Sequence, residues 1–145
     1  MWMRARNVLL ALFVTGVVAA CSSPETEEEL LARAGDALDA GRINAAIIDI
    51  KTALQQDPDS SAARMLLGDT YMLQRDAAAA AAEYLRAQEQ DEGDVESQAR
   101  YAQALVAGGE AATLLSLHSE GNAQAVDSPR YQAALARAYS EQGDF

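Results

Sequence analysis

The clearest repeat unit of this chain contains LLGDTYMLQRDAAAAAAEYLRA, residues 66–87. Its glycine, tyrosines and alanines belong to a pattern that recurs along the chain. Four segments line up on one constant interval, each starting 34 positions after the one before: Gly41-Arg42-Ile43, Arg75-Asp76-Ala77, Gly109-Glu110-Ala111 and Gly143-Asp144-Phe145. A fixed interval of this length predicts stacked units, none of which can bury its apolar face alone.

The residues expected to pack between the helices are small where two backbones approach and aromatic where a gap must be filled. Helix starts are also marked, by Thr26 with Glu29 and by Ser128 before Pro129. The expected packing residues are Ala34, Ala46, Ala53, Gly68, Tyr71, Ala80, Tyr84, Ala87, Ala102, Ala136 and Tyr139.

The unit containing Gly68, Tyr71, Ala80, Tyr84 and Ala87 resembles a tetratricopeptide repeat, a family with the same period. The resemblance implies an all-α fold, a right-handed solenoid of helical hairpins with about three and a half repeats. The array would occupy residues 27–145, with units at 27–60, 61–94, 95–128 and an incomplete 129–145.

The third unit departs most from the repeat pattern, because Leu114, His118 and Gly121 stand where alanine, an aromatic residue and alanine are expected. We therefore predict a short second helix there, near residues 111–118. The fourth unit would leave Leu135 and Tyr139 without a neighbour, so we expect a longer array, a truncated gene product or a covering dimer partner.

The N-terminal segment has the parts of an export signal that ends at the only cysteine, Cys21. Arg4 and Arg6 precede an apolar run that is shorter than the roughly 20 residues needed to span a bilayer. Ala20 and Cys21 flank the predicted cleavage point. The pattern is that of a lipoprotein signal over residues 1–20, followed by an acylated Cys21 and a polar tether over 21–26, although a free thiol or an intermolecular disulfide are alternatives.

Ser22 follows the cysteine, where aspartate is the usual signal for retention in the inner membrane of Gram-negative bacteria. By resemblance, the outer membrane is favoured over the inner, with the chain facing the periplasm. Cleavage would remove Arg4 and Arg6 from the 11 basic side chains and none of the 22 acidic ones, taking the net charge from −11 to −13. Such an acidic surface disfavours nucleic acid and anionic lipid headgroups as partners. Membrane attachment would therefore depend on the acyl chains, of the palmitate type.

Residues that could carry catalysis are scarce, since the chain has one histidine and one cysteine. No phosphate-binding glycine loop or metal-ligand spacing is present in the sequence. His118 is expected to be structural rather than catalytic. We therefore predict a non-enzyme without cofactor, metal or small-molecule substrate.

The resemblance implies a concave groove lined by the first helix of each repeat, which holds a segment of a protein partner. Met65 and Met72 could form an adaptable binding surface or fill the core. The lysines and asparagines with which some relatives grip C-terminal carboxylates do not occur at these positions. The groove positions are Leu31, Gly35, Leu38, Met65, Asp69, Met72, Ala99, Gln103, Val106, Ala133 and Arg137.

The combination of a lipoprotein signal with the sequence EELLARAGDALDAGRINAAIIDIKTALQQDPD, residues 28–59, resembles the start of the long repeat lipoproteins of PEP-CTERM protein sorting and exopolysaccharide systems. That resemblance implies an envelope scaffold for exopolysaccharide or surface-protein export. The alternatives are a pilotin or outer-membrane assembly lipoprotein that binds a secretin or barrel protein, and an activator of a cell-wall enzyme.

Overall fold

The computed structural model describes residues 25–91, 94–121 and 123–143. The predicted signal segment 1–20 and the predicted acylation site Cys21 lie outside these ranges. Within them the chain forms seven α-helices and no strand. The helices are α1 (Glu27–Asp39), α2 (Ile43–Gln56), α3 (Ser61–Leu73), α4 (Ala77–Gln90), α5 (Val95–Ala107), α6 (Ala111–Ser119) and α7 (Pro129–Gln142).

The helices repeat on the interval found in the sequence. The first helices α1, α3, α5 and α7 begin 34 positions apart, and so do the second helices α2, α4 and α6. Each helix from α1 to α6 packs against its hairpin partner and against the adjoining hairpin, and α7 packs against α5 and α6. The predicted all-α array of helical hairpins is confirmed.

The turns inside the hairpins share one geometry. Gly41 and Gly109 have φ of 70° and 80°, and Arg75 adopts the same left-handed conformation with φ of 62°. In the second hairpin the Arg75 N–H donates to Met72 O at 3.0 Å and the Asp76 N–H donates to Tyr71 O at 2.9 Å. These bonds form a Schellman motif, which satisfies carbonyl groups that the end of a helix leaves free.

The helix starts carry caps where the sequence predicts them. Thr26 Oγ1 accepts from the Glu29 N–H at 3.2 Å, while Glu29 Oε2 accepts from the Thr26 N–H at 2.9 Å, which completes a capping box. Ser128 is the N-cap residue of α7 and Pro129 its first helical residue, although the Ser128 side chain makes no capping bond. Side-chain caps therefore mark the starts of α1, α3, α4 and α5, whereas α2, α6 and α7 begin without one.

The core is built largely from alanine, which lets the helices approach closely. In the first hairpin, Leu30, Ala34, Ala46 and Ile50 are fully buried. In the second hairpin the ring of Tyr84 lies against the backbone at Gly68, where any Cβ would collide with it. The close approach at Gly68 is the packing that the repeat pattern predicts.

Arg33 occupies the repeat position at which the second unit has Leu67, and it pairs with α2. Its Nε and Nη2 donate to Asp49 Oδ2 and Oδ1 at 2.8 and 2.7 Å, which makes the ion pair bidentate. The hydrogen bonds from Arg33 hold the pKa of Asp49 below its usual value. An ion pair therefore joins the two helices where leucine would have packed.

The second helix of the third hairpin is short, as its sequence predicts. The helix α6 has 9 residues, whereas α4 has 14. The chain then forms a 3₁₀ helix over Ala125–Asp127 that the sequence did not reveal, and the Ala125 N–H donates to Gln98 Oε1 at 2.6 Å. This 3₁₀ helix packs against α5 and α7.

Candidate functional site

The eleven expected packing residues have different surroundings. Eight are buried and Tyr71 is half-buried, with its ring against the cores of the first and second hairpins. Ala136 and Tyr139 are exposed instead, with 39% of Tyr139 accessible. The buried eight are Ala34, Ala46, Ala53, Gly68, Ala80, Tyr84, Ala87 and Ala102.

The exposure of Ala136 and Tyr139 follows from the face that α7 buries. Tyr131, Ala134 and Ala138 point into the third-hairpin core, at the spacing of one helical stripe. Tyr139 lies one position, or about 100°, away from Ala138 around the helix. In the described ranges no second helix covers that side of α7, whereas the equivalent Leu105 on α5 is buried.

A cleft of ≈ 270 Å³ lies between the first helices α3, α5 and α7, and we call it the first-helix cleft. Its apolar lining includes Met72, Val106 and Ala133. Gln103 and Arg137 add the polar groups. The structure thus brings together five of the groove residues expected from the sequence: Met72, Gln103, Val106, Ala133 and Arg137.

The other expected groove residues lie outside this cleft. Leu31 packs against the core of the first hairpin, and Met65 packs against the cluster that holds Ala80 and Tyr84. For Met65 the structure therefore favours core filling, while Met72 touches the same cluster and also lines the cleft. Asp69, on α3, faces an ionic network instead.

The ionic network joins the three first helices. Asp69 Oδ1 accepts from the Tyr84 hydroxyl at 2.7 Å and pairs with Arg100, which also donates to Glu96 Oε1 at 2.9 Å. Glu96 is in turn 3.5 Å from Arg130 Nη2. Burial, and then the bond to Asp69, raise the pKa of Tyr84 above its usual value. The network fixes the relative positions of α3, α5 and α7.

Arg100 and Arg130 are parts of this surface that the groove positions of the repeat do not include. One signal was available, since Glu96 and Arg130 are one repeat interval apart and so occupy the same repeat position on adjoining first helices. Opposite charges at one position of neighbouring units indicate an ion pair along the array.

The polar side of the first-helix cleft contains cations in a chain whose net charge is −11. Arg130 Nη1 donates to Gln103 Oε1 at 3.3 Å, and Arg137 Nε donates to Glu141 Oε1 at 2.9 Å. The Arg137 side chain is 62% exposed. Because a guanidinium has five N–H donors, Arg137 can bind a further acceptor while it keeps Glu141.

The remaining candidate groups have structural surroundings. The ring of His118 lies 5.9 Å from that of Tyr131, and its Nδ1 is 3.4 Å from the Tyr131 hydroxyl. Over the described residues, His, Cys, Asp and Glu side chains form no group of three that could hold a metal ion. In the same ranges, none of the helices has both the length and the apolar character that crossing a membrane requires.

A comparison with protein families matches residues 31–95 to the family model of the tetratricopeptide repeat. This stretch, somewhat less than half of the chain, is similar to tetratricopeptide repeats. This match covers α1 from Leu31, all of α2, α3 and α4, and the first residue of α5. Beyond the match, α5, α6 and α7 keep the same spacing of helix starts.

No curated protein matches the chain. Tetratricopeptide repeats are generally interaction modules without catalytic groups of their own, and their stacked hairpins create extended surfaces for protein partners. A protein-interaction scaffold is the function that the tetratricopeptide match indicates.

Proposed function

We propose that this chain is a lipid-anchored tetratricopeptide scaffold that holds a segment of a partner protein in the first-helix cleft, at the surface of a bacterial envelope membrane. The observation that carries the binding part is the cleft itself. It brings Met72, Gln103 and Arg137 from three successive first helices to one surface. A partner segment lying across these three residues would contact α3, α5 and α7.

The chemistry of the cleft supports a partner segment with small apolar side chains and an acceptor group. Met72, Val106 and Ala133 supply an apolar lining, and the flexible thioether of Met72 can adapt to the shape of a side chain. Arg137 supplies N–H donors beside it. An acidic or amide side chain in the partner would accept from Arg137, and the strong exposure of this guanidinium leaves it accessible.

The membrane part of the proposal rests on the N-terminal sequence. An apolar run that ends in Val18-Ala19-Ala20-Cys21 supports acylation at Cys21, and Ser22 favours the outer membrane over the inner. Acyl chains would hold an acidic chain at a membrane whose surface charge repels it. The resemblance to PEP-CTERM repeat lipoproteins supports a role in export or sorting of exopolysaccharide or surface proteins.

The test is mass spectrometry of proteins that co-purify with the chain from detergent-solubilised membranes. The wild type is compared with Cys21→Ser and with Ala133→Trp, which places a bulky ring in the cleft. Ala112→Trp is the matched control, because Ala112 is exposed on α6, outside the cleft. We expect an acylated Cys21 peptide, and export or sorting proteins that Ala133→Trp loses and Ala112→Trp keeps.

Each part of the proposal can fail separately. Unmodified wild-type chain in the soluble fraction would refute the anchor. Equal recovery of partners by Ala133→Trp and Ala112→Trp would refute the cleft as the binding surface. A secretin or barrel protein as the retained partner would replace the export role by that of a pilotin or assembly lipoprotein.

A further inference from the structure

A second, larger space lies away from the first-helix cleft, beside the short helix α6. This cavity of ≈ 440 Å³ is lined by residues of α4, α5, α6 and α7 and by Ala123, and we call it the third-hairpin cavity. Its volume falls in the range of about 300–1,000 Å³ that is typical of small-molecule sites. Its lining includes Leu85, Gln88, Gln98, Tyr101, Leu117 and Tyr131.

The cavity exists because the third hairpin lacks a contact that closes the second. In the second hairpin, Arg64 on α3 donates to Glu83 on α4 at 2.9 Å, and Glu83 is buried. The residues one repeat interval later are Gln98 and Leu117. Both residues are uncharged, so no ion pair joins α5 to α6 at this point. Gln98 accepts instead from the Ala125 N–H, at the start of the 3₁₀ helix.

The short α6 leaves the same region open. This helix has 9 residues and ends at Ser119, whereas its counterpart α4 has 14. Leu85 and Leu117 are 41% and 37% exposed, and both line the cavity. Two exposed leucines at the rim of an apolar space give an apolar molecule a way in.

One polar group in the cavity wall lacks a partner. Gln88 Nε2 is buried, and the described part of the chain offers it no hydrogen bond. The residue one repeat interval earlier is Leu54, which packs against the first core. An amide thus stands where the first repeat has a leucine, and no described residue accepts a hydrogen bond from its Nε2. A buried donor without an acceptor costs about 1–3 kcal/mol.

The lining also decides the charge of an occupant. None of the lining residues that the structure describes carries a charge. An ion would therefore lose its hydration without gaining a counter-ion, whereas an uncharged molecule would not. An acceptor oxygen on that molecule would satisfy the N–H of Gln88.

From this geometry we propose that the third-hairpin cavity binds an uncharged, mainly apolar small molecule, whose carbonyl or hydroxyl oxygen accepts a hydrogen bond from Gln88 Nε2. The site is separate from the first-helix cleft. We assign it binding without catalysis, so its occupant would be a ligand and not a substrate.

The test is photolabelling of the full chain in phosphatidylcholine nanodiscs. The probe is a 1-monoacylglycerol with a diazirine in its acyl chain, and the labelled residues are mapped by mass spectrometry. Unlabelled 1-monooctanoylglycerol and octanoate are the competitors, since they share the acyl chain and differ in charge. We expect saturable labelling around Leu85, Tyr101 and Leu117, displaced by the neutral ester at a concentration at least about tenfold below that of octanoate.

Variants connect the label to the cavity. Leu117→Trp and Ala123→Leu each fill space in it and should abolish saturable labelling, while helix content by circular dichroism stays unchanged. Gln88→Leu should weaken binding about threefold to tenfold, the equivalent of one hydrogen bond. Ala133→Trp, in the first-helix cleft, is the control and should leave the labelling unchanged.

Several results would overturn the proposal. Labelling that does not saturate, that is spread over the surface, or that both folded cavity-filling variants retain would mean that the cavity holds only water. Labelling confined to Met72 and Ala133 would assign the probe to the first-helix cleft. Equal displacement by octanoate would refute the claim that the ligand is uncharged. Loss of partner proteins in the co-purification test, with labelling retained, would count against the proposed scaffold function and not against this site.

Discussion

The ring of Tyr84 lies so close to Gly68 that a Cβ on residue 68 would be 2.4 Å from Tyr84 Cε1. The ring cannot easily move away, because Tyr84 is 2% exposed and its hydroxyl donates to Asp69 at 2.7 Å. Asp69 is on the same helix as Gly68. The contact thus closes the second hairpin with one glycine, one ring and one hydrogen bond.

The first prediction concerns that contact. Gly68→Ala should destabilise the fold by about 1–2 kcal/mol, since overpacking of about 1–3 kcal/mol exceeds the helix propensity gained by alanine. Gly35→Ala is the control, because a Cβ there meets nothing within 4 Å. It should stabilise α1 by about 0.5–1 kcal/mol. Urea unfolding followed by circular dichroism measures both, and a stabilised Gly68→Ala protein would contradict the packing described.

The second prediction concerns Arg75, the only described residue other than glycine with a positive φ. The equivalent turn residues Gly41 and Gly109 have φ of 70° and 80°. A side chain in this conformation costs about 1–2 kcal/mol, so Arg75→Gly should raise the free energy of unfolding by about 1 kcal/mol. Arg75→Ala separates the loss of the arginine from the gain of glycine, and it should not stabilise the protein.

The third prediction concerns alkaline pH. A tyrosine in the unfolded chain ionises near pH 10, whereas burial and Asp69 raise the pKa of folded Tyr84. Burial also raises the pKa of Tyr101 and Tyr131. Above pH about 10 the unfolded state therefore holds fewer protons than the folded state, and stability should fall as the pH rises.

Tyr84→Phe tests the contribution of one of these three hydroxyls. It should cost about 0.5–1.5 kcal/mol at pH 7, through the lost bond to Asp69. It should also make the decline above pH 10 less steep. Tyr139→Phe removes an exposed hydroxyl and should change the stability at pH 7 by less than about 0.5 kcal/mol. Denaturant unfolding between pH 7 and 11 gives both quantities, and an unchanged slope in Tyr84→Phe would contradict the assignment.

The fourth prediction concerns the amide of Gln88 in the protein without ligand. Gln88→Leu should stabilise the chain by about 1 kcal/mol, because it removes a buried donor that has no acceptor and keeps the volume. Leu54→Gln makes the reverse change at the equivalent position of the first repeat, and should destabilise by a similar amount. If Gln88→Leu were destabilising, the amide would have an internal role.

Much of the fold could be predicted from the sequence because its signals are local and repeated. The constant repeat interval gives the helix starts, and Thr26 with Glu29 gives the first cap. Gln103 and Arg137 occupy the same repeat position as Asp69, and Met72 lies three residues after Asp69, about one helical turn away. A stacked array places such residues side by side without any further information.

The features that could not be predicted depend on what each helix faces. Tyr139 is exposed although its equivalent Leu105 is buried, because exposure depends on the neighbouring helix and not on the repeat position. The third-hairpin cavity depends on where α6 ends and on how Gln98 bonds to the loop. Arg33 could replace a leucine because Asp49 faces it across the hairpin.

Site-specific photo-crosslinking in intact cells shows whether the first-helix cleft contacts a partner protein. A photoreactive amino acid replaces Gln103 in the first-helix cleft or, as a control, Ile48, which is 65% exposed on α2. We predict that Gln103 crosslinks to one discrete protein, that Ala133→Trp abolishes this crosslink, and that Ile48 gives none. Crosslinks of equal yield from both positions, or a Gln103 crosslink that Ala133→Trp leaves intact, would contradict the assignment of the cleft as the partner site.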